Sequence, residues 1–113
     1  INAVINGLTA IHRCRNGALL EIDAARSQLS PLASEVEAVA AADGVRFDAP
    51  VLALAERVIR LTAANYSSMN RDVAAGRRTE IDFINGYVVE RARTHGIAVP
   101  ANAAVLAAVH ALA

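Results

Sequence analysis

Apolar side chains at Ile1, Val4, Ile5, Leu8 and Ile11 follow the i, i+3, i+4, i+7 spacing of one helix face, which predicts a helix over residues 1–13. Asn16-Gly17 is a turn signal, and a short helix is predicted after it, over about residues 18–28. Ser30-Pro31 offers an N-cap and a first-turn proline for another helix, with Leu32, Val36 and Val39 inward and Gly44 as its stop. Asp48-Ala49-Pro50 opens the next helix in the same manner, with Val51, Leu54, Val58 and Leu61 as its buried stripe. A serine of Asn65-Tyr66-Ser67-Ser68 caps a short helix running to Gly76. Thr79-Glu80-Ile81-Asp82 approximates a capping box for a helix with Ile81, Ile84 and Val88 on one face, ending before Gly96. Pro100 begins a last helix, with Val105, Val109 and Leu112 inward. No stretch alternates with period two for long enough to demand a strand. The pattern predicts one all-α domain over residues 1–113, a bundle of about six or seven helices.

Composition says what packs that bundle and which partners it lacks. The chain is 55% hydrophobic but only 4% aromatic, with no Trp, so Ala, Leu and Val fill the core and suit closely spaced helices. Formal net charge is zero, and all 11 basic residues are Arg. No basic footprint points to nucleic acid, and no polybasic run to an anionic membrane surface. No apolar run approaches the ~20 residues of a membrane span. The single cysteine, Cys14, forms no internal disulfide and fits a reducing cytoplasm. The first helix starts at residue 1 with no Met and no capping residue before it. Because its first N–H groups want partners, this start reads as a cut end, with the helix continuing upstream.

Few side chains offer chemistry. Asn2, Asn6, Thr9 and Arg13 form a second, polar stripe within one sector of the first helix, at about 100° per residue. Two carboxamides a turn apart each donate and accept, enough to grip a hydroxyl and a carbonyl of one small molecule. The same stripe also reads as a solvated flank. Ser67-Ser68 at a helix start is either a carboxylate site or an ordinary cap. Glu80 and Asp82 are first-turn acids that complement the dipole unless a cationic or hydroxyl partner meets Glu80. Asp72 is expected to pair at the surface with Arg71 or Arg77, and Cys14 to be a small core or turn residue. His12, His95 and His110 have no companions at metal-ligand spacing, so no metal site is expected. Gly86 inside a helical pattern implies close approach of another helix or of a ligand. No set of glycines is spaced as G-x-G-x-x-G, so no dinucleotide fingerprint lies in the chain.

The order of these signals is more specific than any one of them. Asn2-Ala3-Val4-Ile5-Asn6-Gly7-Leu8-Thr9-Ala10, followed by Asn16-Gly17, resembles the opening of the C-terminal domain of ketopantoate reductases (2-dehydropantoate 2-reductases). The run from Ser67-Ser68-Met69-Asn70-Arg71-Asp72 through Gly76-Arg77-Arg78-Thr79-Glu80-Ile81-Asp82-Phe83-Ile84-Asn85-Gly86 resembles that family's most distinctive signature, and Gly96-Ile97-Ala98-Val99-Pro100-Ala101-Asn102 its closing segment.

The resemblance implies an NADPH-dependent reduction of 2-dehydropantoate to pantoate, in pantothenate and coenzyme A biosynthesis. It implies a helical substrate domain like that of 6-phosphogluconate dehydrogenase, partnered by an N-terminal Rossmann domain that carries most of the cofactor site. By position, Asn2 and Asn6 would bind substrate hydroxyl and keto oxygens, Ser68 the carboxylate, and Asn16 would line the same pocket. Glu80 would sit beside cofactor and substrate. The family's proton-donating lysine falls one turn before Asn2, upstream of Ile1. With no Lys in the chain, the 113 residues are expected to be inactive alone. Two other readings stand beside this one. One is a related reductase of a different 2-keto acid; the other is a non-catalytic helical interaction or dimerisation domain, using alanine-rich faces such as residues 105–113. A homodimer is compatible with each.

Overall fold

The computed structural model describes residues 1–112, and among them it contains six α-helices, two 3-10 turns and no strand. The helices are α1 (Asn2–His12), α2 (Asp23–Ala42), α3 (Val51–Leu61), α4 (Ser68–Ala74), α5 (Asn85–His95) and α6 (Pro100–His110). The 3-10 turns are Asn16–Leu20 and Ile81–Phe83. Ala113, the end of the alanine-rich face read from the sequence, lies outside the described residues. The all-α expectation and the helix number hold.

The first helix is the centre of the molecule. Ala3, Val4, Ile5, Gly7, Leu8, Thr9 and Ala10 are all buried, because α2, α4 and α6 pack around it. Gly7 makes the closest approach possible: a Cβ there would collide with Val105 Cγ1 of α6. Leu19, Leu29, Leu32, Ala55, Ile59, Met69 and Ile81 complete the main core. Val39, Ala92 and Val99 form a smaller cluster where α2 meets α5.

Several expectations need correction. Ser30-Pro31 does not open a helix; α2 runs unbroken from Asp23 to Ala42 with Pro31 inside it. A proline there costs about 3 kcal/mol. The apolar stripe of Ala25, Leu29, Leu32 and Ala33 keeps its phase through the proline, however, and burying each leucine returns about 1.5–3 kcal/mol. In α3 the buried residues are Val51, Ala55 and Ile59, while Leu61 is 75% exposed. The small Ala55 faces the core, and Leu54 and Val58 lie half-buried on the flank. Its first turn is held by the Glu37 carboxylate, which accepts the Val51 N–H at 2.9 Å, rather than by Asp48.

The third correction concerns the capping box. Thr79 Oγ1 does accept the Ile81 N–H, at 3.4 Å, but the helix it starts stops after one 3-10 turn. Ile84 breaks the chain (φ −108°, ψ −87°), and α5 restarts at Asn85. The break turns the Asn85 side chain into the core, where it is fully buried. Gly86 has ordinary room for a Cβ, its nearest neighbour being the Ile81 carbonyl oxygen at 3.5 Å. No close helix explains that glycine.

Candidate substrate site on the central helix

The polar flank of α1 meets the start of α4 through a pair of buried hydroxyls. Thr9 Oγ1 donates to the Asn6 carbonyl at 2.8 Å, which uses its only hydrogen. The Ser67 hydroxyl must therefore donate in the 2.6 Å contact between Thr9 Oγ1 and Ser67 Oγ. Ser67 Oγ in turn accepts the Asn70 N–H at 3.0 Å, making Ser67 the N-cap of α4. One turn on, Asn70 Nδ2 donates to the Cys14 carbonyl at 2.9 Å. These bonds tie α4 to α1 and account for Thr9, the one stripe member that is wholly buried. Of the two serines, Ser67 carries the structure and Ser68 lies exposed beside it.

The other predicted residues fall as follows. Asn2 is exposed at the start of α1, on the wall of an apolar groove of about 530 Å³ shared with Val36, Val39, Phe83, Ile84 and Tyr87. Asn6 is half-buried a turn further on. Glu80 is exposed immediately before the Ile81–Phe83 turn, and its carbonyl accepts the Phe83 N–H at 2.9 Å. Asn16 is buried, with Nδ2 donating to Thr62 Oγ1 at 2.9 Å and its backbone N–H to the Asn65 carbonyl at 2.9 Å. It thus joins the first turn to the chain between α3 and α4, and its Oδ1 is left without a partner. Among the described residues, the side chains of Asn2, Asn6, Ser68 and Glu80 make no hydrogen bond. The structure joins the elements carrying Asn6 and Ser68 through Thr9–Ser67, whereas the groove at Asn2 includes none of Asn6, Asn16, Ser68 and Glu80.

Sequence reasoning missed a buried polar relay. Asn85 Nδ2 donates to the Ala3 carbonyl of α1 and to Asn102 Oδ1 of α6, both at 2.9 Å. Asn102 Nδ2 donates to Glu35 Oε1 of α2 at 2.9 Å. The Glu35 carboxylate also accepts the N–H groups of Ala101 and Asn102, at 2.9 and 2.8 Å, capping α6. The visible signal was an Asn amid the apolar residues of the last helix, and another at an odd Asn-Gly. A second missed cluster lies at the surface, where Asp43 accepts from Arg91 Nε at 3.1 Å and meets His95 Nε2 at 2.6 Å. Arg91 first, and then His95, hold the Asp43 carboxyl well below the usual carboxylate range. The expected Asp72–Arg77 pair is present at 3.1 Å. Burial pushes the Cys14 thiol up, so it remains a thiol at the end of α1.

A family model described as the C-terminal part of ketopantoate reductase PanE/ApbA matches residues 1–113. The chain belongs to the ketopantoate reductase family. A 2-dehydropantoate 2-reductase of Vibrio cholerae is 46% identical over 106 residues, covering 93% of this chain and 36% of that protein. The chain therefore spans about a third of the length of the curated ketopantoate reductases it matches. A PanE/ApbA family ketopantoate reductase from Ralstonia eutropha superposes with a TM-score of 0.91 at 33% identity, over 98% of this chain and 37% of that one. D-mandelate dehydrogenase, solved with NADH and anilino(oxo)acetate, superposes with a TM-score of 0.89 at 30% identity, over 98% of this chain and 47% of that one. No helix among the described residues is long and apolar enough to cross a membrane.

Proposed function

We propose that this chain is the substrate-binding domain of a 2-dehydropantoate 2-reductase that takes NADPH and forms pantoate. In this reading Asn2 and Asn6 hold the substrate's hydroxyl and keto oxygens, Ser68 its carboxylate, Asn16 lines the pocket, and Glu80 orders substrate beside cofactor. One observation carries it. Among the described residues the side chains of Asn2, Asn6, Ser68 and Glu80 have no hydrogen-bond partner, while those of Thr9, Ser67, Asn70, Asn85 and Asn102 are committed to the fold. Groups without an internal partner can exchange water for a ligand at little cost to the fold.

The bound nicotinamide supplies hydride, and this chain offers that cofactor one exposed carboxylate and no glycine-rich phosphate cradle. Its main site belongs to a Rossmann half. Hydride arriving at a ketone leaves negative charge on oxygen, and amide donors on Asn2 and Asn6 stabilise that charge as it forms. The proton comes from a lysine outside these residues, since the chain has none, so residues 1–113 alone do not turn over. The same reading has the protein working in the cytoplasm and as a homodimer, with exposed Phe83 and Tyr87 available for contact.

The test uses the full-length protein that carries this chain, assayed with NADPH and NADH against 2-dehydropantoate and a panel of branched and aromatic 2-keto acids. Ser68→Ala is expected to raise KM by the factor that about 1.5–3 kcal/mol represents, the worth of a hydrogen bond to a charged group, and Asn6→Ala by the factor that about 0.5–1.5 kcal/mol represents, the worth of one to a neutral oxygen. Unchanged KM in both would remove the assigned roles. The likeness to D-mandelate dehydrogenase favours a second reading, an NADH-linked reductase of another 2-keto acid. A preference for an aromatic 2-keto acid with NADH would select it.

A further inference from the structure

The buried relay has a direction fixed by its two ends. Glu35 is a carboxylate and the Ala3 carbonyl is a backbone acceptor, so neither can donate. Asn102 must then turn its amide hydrogens to Glu35 and its Oδ1 to Asn85, and Asn85 must spend its hydrogens on Asn102 and Ala3. The oxygen left over, Asn85 Oδ1, is buried without a partner. Leaving such an atom unsatisfied costs stability. The place of this amide in the core is therefore explained by what its donors hold, not by its oxygen.

What they hold is α1. Ala3 and Gly7 lie one turn apart on the face toward α5 and α6, about 100° round from Asn2 and Asn6. Gly7 rests against Val105, which sets how deep the helix sits. The Asn85 bond to the Ala3 carbonyl then sets rotation and register at the end of α1 that carries Asn2 and Asn6. Thr9–Ser67 does the same toward α4.

We propose that Asn85 is a positioning residue for substrate binding: through the Ala3 carbonyl it fixes the rotation at which α1 presents Asn2 and Asn6. The proposal rests on the reading that those two amides grip the substrate. Asn102 supplies the control, because Asn102→Ala cuts the relay toward α6 and α2 while leaving the Asn85–Ala3 bond possible.

In the full-length protein, at a temperature where circular dichroism shows each variant folded, Asn85→Ala is expected to raise the KM for 2-dehydropantoate about tenfold. Its kcat should fall as well, because the same two amides stabilise the charge forming on oxygen, while its KM for NADPH stays unchanged. Asn102→Ala, with a comparable loss in Tm, should leave the keto-acid KM within about twofold. If Asn85→Ala does not fold, Asn85→Leu keeps the side-chain volume, donates nothing, and reports the same KM change. An unmoved KM in the folded Asn85 variant, or an equal rise in Asn102→Ala, overturns the positioning role. Asn6→Ala, measured alongside, separates the two levels. A raised KM there with none in Asn85→Ala defeats positioning alone; no rise there removes the underlying site and the proposal with it.

Discussion

Two sets of polar side chains occupy this small bundle, and they are used in opposite ways. Asn85, Asn102 and Glu35 are drawn inside and wired to one another across four helices. Asn2, Asn6, Ser68 and Glu80 lie at least partly exposed, on α1, at the start of α4 and before the Ile81–Phe83 turn, and among the described residues their side chains make no hydrogen bond. The residue types overlap almost completely, so amide or hydroxyl chemistry alone does not tell a structural group from a binding group. What separates them is the burial of the atom and the company it keeps. A buried amide must find partners or cost the fold about 1–3 kcal/mol, while an exposed one is satisfied by water and can trade that water for substrate.

The hardest way to break the comparison is to put charge into the inner set. Asn85→Asp would face the carboxylate toward two acceptors, the Ala3 carbonyl and Asn102 Oδ1, with both donors gone. A loss of about 3–5 kcal/mol is expected, the usual size for an uncompensated buried charge. Burial raises the folded-state pKa of the new carboxyl above its unfolded value. The destabilisation is therefore full above the folded pKa and is relieved as pH falls and the group takes up a proton. Urea unfolding at two pH values reads both effects. A loss below 1 kcal/mol at neutral pH would mean the relay is dispensable.

Adjacent serines give a finer cut. Ser67→Ala removes the cap on Asn70 N–H and the donor to Thr9 Oγ1, and should cost about 1–2 kcal/mol. Ser68→Ala, one residue on, should leave stability within about 0.5 kcal/mol. Equal losses in thermal or chemical unfolding would place Ser68 among the structural groups and weaken its claim on a ligand.

Much of this was legible beforehand, and the failures share a cause. Apolar faces such as Val4, Ile5 and Leu8 or Val105 and Val109 read correctly because local spacing decides them. Gly96 and Pro100 also punctuated as expected, with Gly96 at φ 67° and Pro100 in the first turn of α6. Pro31 and the stripe of α3 misled because tertiary burial outweighed local preference. The Asn85–Ala3 bond joins residues 82 positions apart, and the Glu35 cap on α6 acts across 66 and 67. No window of sequence holds both partners of such a bond. The outer set stood out by spacing and helix position only as one of two readings each, and the ordered resemblance alone suggested a use, since an Asn on a helix flank carries no mark of its own.

The smallest expected effect tests whether engagement alone, without burial, gives a polar group weight. Asp43 has more partners than Ser67, accepting from Nε and Nη2 of Arg91 and meeting His95, yet the cluster lies at the surface between the ends of α2 and α5. Its folded-state pKa is depressed below the ordinary carboxylate value, so its contribution is complete above about pH 4 and disappears as pH falls toward the depressed value. Wild-type Tm should therefore drop more between pH 6 and pH 3 than that of Asp43→Asn, and 0.5 M salt should narrow the gap, since solvent and ions reach these charges. Parallel Tm curves for the two proteins would show that three surface bonds add nothing measurable. A gap as large as that from the Asn85 relay would show instead that the number of partners, rather than their burial, governs which polar groups this fold depends on.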